Sequence, residues 1–146
     1  MTTPTSKSKI QIGTGEIIIV DAYAWVEYAL DGPHAEVINR WFTDADEVFT
    51  PASVIGEIKE SMLRHNIESS KISLILAYIR SKSSIINIDA DMAERAGEIN
   101  FNYKKTIKGW GMLDSLVYAS ATAKDGKILT GDLHFKDLPN VVYIGE

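Results

Sequence analysis

The sequence contains no cysteine. That absence excludes disulfides, zinc ribbons, thiolate metal centres and cysteine nucleophiles together. No apolar run approaches the roughly 20 residues that a membrane-spanning helix needs. The most conspicuous one, Ile17 to Val20, stops at Asp21. The opening residues MTTPTSKSKIQ carry no apolar signal core, so a cytoplasmic protein without membrane attachment is expected. The glycine-rich turn of a dinucleotide-binding domain is missing after the first apolar run. What remains is ordinary: 146 residues, 45% hydrophobic and 24% charged. This composition excludes wholesale disorder, collagen-like repeats and coiled coil. At roughly 100–200 residues per domain, it predicts one domain. The net charge of −5 argues, at face value, against a polyanionic partner.

Residues 1–15 are rich in Thr, Ser, Lys and Gly without apolar periodicity, and read as a flexible leader. The domain proper is expected over 16–146. Ile17 to Val20 is a β-branched run of the kind buried on both faces of a parallel sheet. Helices are predicted over Ala22–Leu30 and His34–Phe42, then a strand over Glu47–Thr50. Ser53 is a candidate N-cap for a helix to about Arg64, and Ser69 or Ser70 for the next. A strand at Ser84–Ile88 and a helix at Asp89–Tyr103 follow. A further helix runs to Ala123 and ends at Asp125-Gly126. Strands at Lys127–Thr130 and Val141–Ile144 complete the pattern. Strands alternating with helices define an α/β domain with a mainly parallel sheet. In such sheets ligands bind beyond the carboxyl ends of the strands.

Four acids fall at that edge. Asp21 directly follows the first strand, and Asp132 lies two residues beyond Lys127–Thr130. Glu57 and Asp114 lie near the starts of their helices. Singly, each has a plainer explanation as a helix cap, a dipole complement or a turn residue. Together they repel: two carboxylates about 4 Å apart cost roughly 4 kcal/mol at an effective dielectric near 20. A hard divalent cation, magnesium or manganese, is the natural counter-ion for such a set. With no histidine or cysteine set in evidence, zinc is disfavoured.

These segments resemble the motifs of PIN domains, especially VapC-type toxins. Ile18-Ile19-Val20-Asp21-Ala22-Tyr23-Ala24-Trp25 is similar to the first motif, and Thr50-Pro51-Ala52-Ser53-Val54-Ile55-Gly56-Glu57 to the second. Trp110-Gly111-Met112-Leu113-Asp114-Ser115-Leu116-Val117-Tyr118-Ala119 is similar to the third. Ile128-Leu129-Thr130-Gly131-Asp132-Leu133-His134-Phe135, with Leu138-Pro139-Asn140-Val141, resembles the fourth. The four occur in order over about residues 16–144. The resemblance implies a three-layer α/β/α fold with a central, mainly parallel sheet. It implies metal ligation by Asp21, Glu57, Asp114 and Asp132, with Thr130 near the water that reacts. It also implies magnesium-dependent (or manganese-dependent) endoribonuclease activity, a homodimer and a small antitoxin partner. One departure is clear: many members carry Ser or Thr just after the first Asp, where this chain has Ala22 and Tyr23.

Hydrolysis by metal-activated water would leave 5′-phosphate and 3′-hydroxyl ends. Metal-free cleavage needs paired histidines, whereas His34, His65 and His134 are scattered; His134 alone lies beside one of the four candidate acids, two residues beyond Asp132. The RNA contact is expected in residues 99–113, which hold Lys104, Lys105 and Lys108 and no acid, interleaved with Phe101, Tyr103 and Trp110. The plainer alternative makes Tyr103 and Trp110 core residues and the lysines a solvated loop. Tyr23, Trp25 and Tyr28 are expected in the core or a dimer interface, and the Ile72–Ile79 stripe in the core beside a groove for a partner helix. Because four acids belong to the proposed site, the net charge no longer argues against RNA. Phosphotransferases of the haloacid-dehalogenase type need Asp-x-Asp after the first strand, and Tyr23 stands where the second Asp would be. A receiver domain needs an acid pair and a late lysine that are not evident. The remaining alternative is a catalytically degenerate PIN-like module that binds RNA or protein.

Overall fold

A computed structural model describes residues 15–146. The expected leader, residues 1–15, lies outside the described residues except for Gly15. The elements follow the predicted alternation: β1 (Ile17–Val20), α1 (Ala22–Ala29), α2 (Ala35–Asp44), β2 (Glu47–Pro51), α3 (Ala52–Arg64), α4 (Ser69–Lys82) and β3 (Ser84–Ile86). Then come α5 (Ala90–Tyr103), α6 (Met112–Lys124), β4 (Lys127–Thr130), a 3₁₀ turn (Leu133–Phe135) and β5 (Val141–Tyr143).

The strands form one sheet in the order β3-β2-β1-β4-β5, and every pairing is parallel. β1 is central. Its Ile18, Ile19 and Val20 are fully buried, as expected for a strand covered on both faces. The chain leaves β1 towards β2 on one side and returns to β4 on the other. The crevice between the carboxyl ends of β1 and β4 is therefore the topological switch point, where open α/β sheets place their ligands. Six helices flank the sheet in an α/β/α arrangement. Helix α1 packs on α2 and α3, α3 on α4, and α5 on α6.

Buried polar groups tie the layers together. Trp25 of α1 donates its indole N–H to Thr50 Oγ1 of β2 (3.0 Å), which lies 2.7 Å from Ser83 Oγ beyond α4. Trp25 is thus a core residue. Trp110 is also buried, and donates to Ser115 Oγ at 2.7 Å, so it is not free to stack on a base. At the end of α6 the left-handed residue is Asp125 (φ 53°) rather than Gly126. Gly126 is instead demanded by close approach: a Cβ there would meet Ile17 O at 2.9 Å.

Two expected caps are absent. Helix α3 starts at Ala52, directly after β2, so Ser53 lies inside the first turn and Pro51 is the cap residue without a side-chain bond. Helix α4 starts at Ser69, with Glu68 in the cap position and no side-chain cap bond. The chain enters α3 two residues before Ser53 could cap it, and α4 one residue before Ser69 could.

Candidate metal centre

Asp21 caps α1 from the end of β1, with Oδ1 accepting the Ala22 N–H at 2.7 Å. Its Oδ2 accepts a hydrogen bond from Thr130 Oγ1 at 2.8 Å, across the β1–β4 boundary. Thr130 Oγ1 in turn accepts the Asp132 N–H at 3.0 Å. One hydroxyl therefore sets the position of both acids at the switch point. Where the sequence lacks a hydroxyl just after Asp21, Thr130 supplies it from the neighbouring strand.

Asp114 stands in the first turn of α6, where its Oδ2 accepts the Gly111 N–H at 3.1 Å. The loop before it is fixed from beneath by Trp110, which stacks edge-on to Tyr103 and Phe135. Glu57 projects from α3, and its Oε1 is buried without any hydrogen-bond partner. Buried polar atoms are nearly always satisfied. An orphaned carboxylate oxygen among other acids is thus the feature of this site that most fits a divalent cation.

The electrostatics agree. Burial, helped by the charges of Asp132 and Asp114, pushes Asp21 up to about 6 despite the Thr130 and Ala22 hydrogen bonds. Burial also raises Glu57 to about 7, with Asp21, Asp114 and Asp132 all adding to it. Asp114 is raised chiefly by burial, against the Gly111 N–H and His134. The four acids thus lie near enough to act on one another electrostatically, whereas of the four only Asp114 and Asp132 fall in a group of ligand atoms within 4.8 Å of one another, together with His134. Carboxylate oxygens are donors that suit a hard divalent ion.

It also adds a residue. His134 Nδ1 lies 3.0 Å from Asp114 Oδ2 and 3.6 Å from Asp132 Oδ1. One ligand atom each from Asp114, Asp132 and His134 fall within 4.8 Å of one another. The sequence reading selected acids alone; the structure places a histidine ring beside two of them. Adjacency of His134 to Asp132 was the only sequence signal; the 3₁₀ turn, held by the His134 N–H to Asp132 Oδ1 (2.9 Å), swings the ring back over both acids.

Tyr23 lies at the rim, 37% exposed, with its ring against Gly131. Lys104, Lys105 and Lys108 are exposed on the segment between α5 and α6, and Lys105 sits 4.1 Å from the centroid of the exposed Phe101 ring. Tyr103 is half-buried against Trp110 and Tyr118. Of the three interleaved aromatics, only Phe101 presents a free face. A separate apolar groove of about 650 Å³ lies between α1, α2 and α4 and contains none of the four acids.

A parallel sheet between helical layers, with an acidic centre at its switch point, is the architecture that the site and the topology define. Residues 18–141 match the family model described as PIN domain, and the chain belongs to that family. Its structural neighbours are VapC toxins and related PIN-domain proteins of toxin–antitoxin systems. One is VapC20 of Mycobacterium tuberculosis, a Sarcin-Ricin loop cleaving toxin: TM-score 0.70 and 19% identity over 88% of this chain and 99% of that one. VapBC2 of Rickettsia felis, bound to a DNA fragment from its promoter, gives 0.67 and 17% over 88% and 98%. A toxin–antitoxin complex from Klebsiella pneumoniae gives 0.64 and 19% over 86% and 95%. No curated protein sequence matches the chain. Among the described residues no helix is long and apolar enough to cross a membrane.

Proposed function

We propose that residues 16–146 form a divalent-metal-dependent endoribonuclease, the toxin of a toxin–antitoxin pair acting in the cytoplasm. The observation that carries this reading is the unpartnered, buried Glu57 Oε1 facing three further acids whose charges raise its pKa. Asp21, Glu57, Asp114 and Asp132 would hold magnesium or manganese. Such an ion, when bound, lowers the pKa of water and offsets charge on phosphoryl oxygens. The chain's own residues do the rest. Thr130 orients Asp21 and, through the Asp132 N–H, the far acid as well. Burial of Asp21 keeps bulk water from its carboxylate. Lys104, Lys105 and Lys108 would hold the RNA backbone on the approach to Asp114, with Phe101 available for a base.

The groove between α1, α2 and α4 supports an antitoxin partner. It offers Trp25, Tyr28, Ile75 and Tyr78 with a polar Asn39, and Leu74 stands 71% exposed at its edge. That is the surface an amphipathic helix fills with anchors one turn apart. Exposed Leu63, Met112 and Leu113 support a homodimer contact near the α3 and α6 ends.

The test is RNA cleavage with magnesium by the wild type, Asp21→Asn and Asp114→Asn. Cleavage lost in both variants and in chelator, with 5′-phosphate products, supports the reading. Cleavage in excess chelator, or full activity of both variants, overturns it. Metal-independent RNA binding without cleavage would favour the degenerate module instead.

A further inference from the structure

We propose that His134 is a nitrogen ligand of the metal held between Asp114 and Asp132, and that it biases the centre towards manganese over magnesium. This rests on the metal-site reading above and deepens it.

Adjacent ligand atoms of an octahedral ion with bonds of about 2.1 Å lie about 3 Å apart, and opposite ones about 4.2 Å. His134 Nδ1 lies 3.0 Å from Asp114 Oδ2 and 3.6 Å from Asp132 Oδ1, and the three donor atoms fit within 4.8 Å. These separations match neighbouring donor atoms of one coordination shell, and the 3.0 Å contact is also the length of a hydrogen bond. The ring is also held in place from three sides. Its backbone N–H is bound to Asp132 Oδ1, and the next residue, Phe135, is fully buried. On the far edge Gly109, at φ +84°, closes on the ring so that a Cβ there would lie 2.8 Å from Nε2. Nδ1 therefore faces the acids, while Nε2 points towards Gly109.

Without an ion, the Nδ1–H can donate to Asp114. With an ion, the Nδ1 lone pair takes that direction and the ring N–H moves to Nε2. The side chain is 32% exposed, so water is available to accept from Nε2. Imidazole nitrogen is a poor partner for magnesium, which prefers oxygen, and a better one for manganese.

The experiment uses the full-length protein loaded with Mn2+ and pulsed EPR to read nitrogen coupling. Wild type grown with 15N-histidine should show 15N coupling in place of 14N coupling, a result that needs no variant to fold. His134→Gln should lose the coupling while His34→Gln and His65→Gln keep it. In competition titrations His134→Gln should lower the preference for Mn2+ over Mg2+ about tenfold. Bound Mn2+ without histidine coupling, or an unchanged preference, overturns the proposal and leaves the acidic centre standing. If Mn2+ does not bind at all, the metal-site reading fails and this proposal with it.

Discussion

Thr130 and Asp21 are 109 residues apart in sequence, yet the threonine hydroxyl donates to the buried aspartate at 2.8 Å. The same oxygen accepts the Asp132 N–H. A single hydroxyl oxygen thereby touches the acids that follow both paired strands, and the first and last acids are positioned relative to each other.

Thr130→Val keeps the shape and removes the hydroxyl. It leaves Asp21 Oδ2 buried without its donor, which costs roughly 1–3 kcal/mol. We expect a lower midpoint in urea and reduced cleavage, with Thr130→Ser restoring most of both. Unchanged stability and activity in the valine variant would show that the hydroxyl does not position Asp21.

The acids make stability depend on pH in a defined direction. Burial raises Asp21 from 3.8 to about 6 and Glu57 from 4.5 to about 7. In the unfolded chain both ionise near their ordinary values. Between about pH 4 and 7 the folded state therefore holds more protons, and stability falls as pH rises through that window. The loss is on the order of 2 kcal/mol, mostly from Asp21, because solvent screens the half-buried Glu57. Urea titrations of metal-free protein should give a more stable fold at pH 5 than at pH 8. Asp21→Asn should flatten the difference, and so should saturating Mg2+. A wild type equally stable at both values would contradict the raised pKa.

Gly131 is kept small by Tyr23, whose ring occupies the space a Cβ would need. Gly131→Ala should destabilise the fold by roughly 1–3 kcal/mol through overpacking beside the site. In a Tyr23→Ala background the same substitution should cost much less, a coupling that a double-mutant cycle in urea reads directly. Additive effects would exclude the steric relationship.

Neutralising Lys104, Lys105 and Lys108 together to Gln tests the RNA approach. For single-stranded RNA each phosphate contact contributes roughly 0.7 to the slope of log affinity against log salt. Loss of three should make the slope less steep by about two. The thermal midpoint should hardly move, because all three side chains are exposed. An unchanged slope would remove this segment from the interface.

The order of elements was legible because its signals are local. The β-branched run Ile17–Val20, the periodic apolar positions of α3 and α5, and the Asp125-Gly126 stop each act through neighbours in the chain. The four acids were legible for the same reason, as residues at strand ends and helix starts. The failures were also local. Neither Ser53 nor Ser69 could show that its helix begins too early for it to act as a cap.

The sequence by itself determined the α/β alternation, the burial of the first strand on both faces, and the placing of four acids at strand ends and near helix starts. Only the tertiary structure decided which side chains face one another there. It placed Trp110 in the core, left Glu57 Oε1 without a donor, and brought His134 onto Asp114 across 20 residues of chain. The physical reason is range. Periodicity and turn chemistry operate over a few residues, whereas hydrogen bonds, desolvation and charge repulsion act between whatever groups the parallel crossovers bring within a few ångströms.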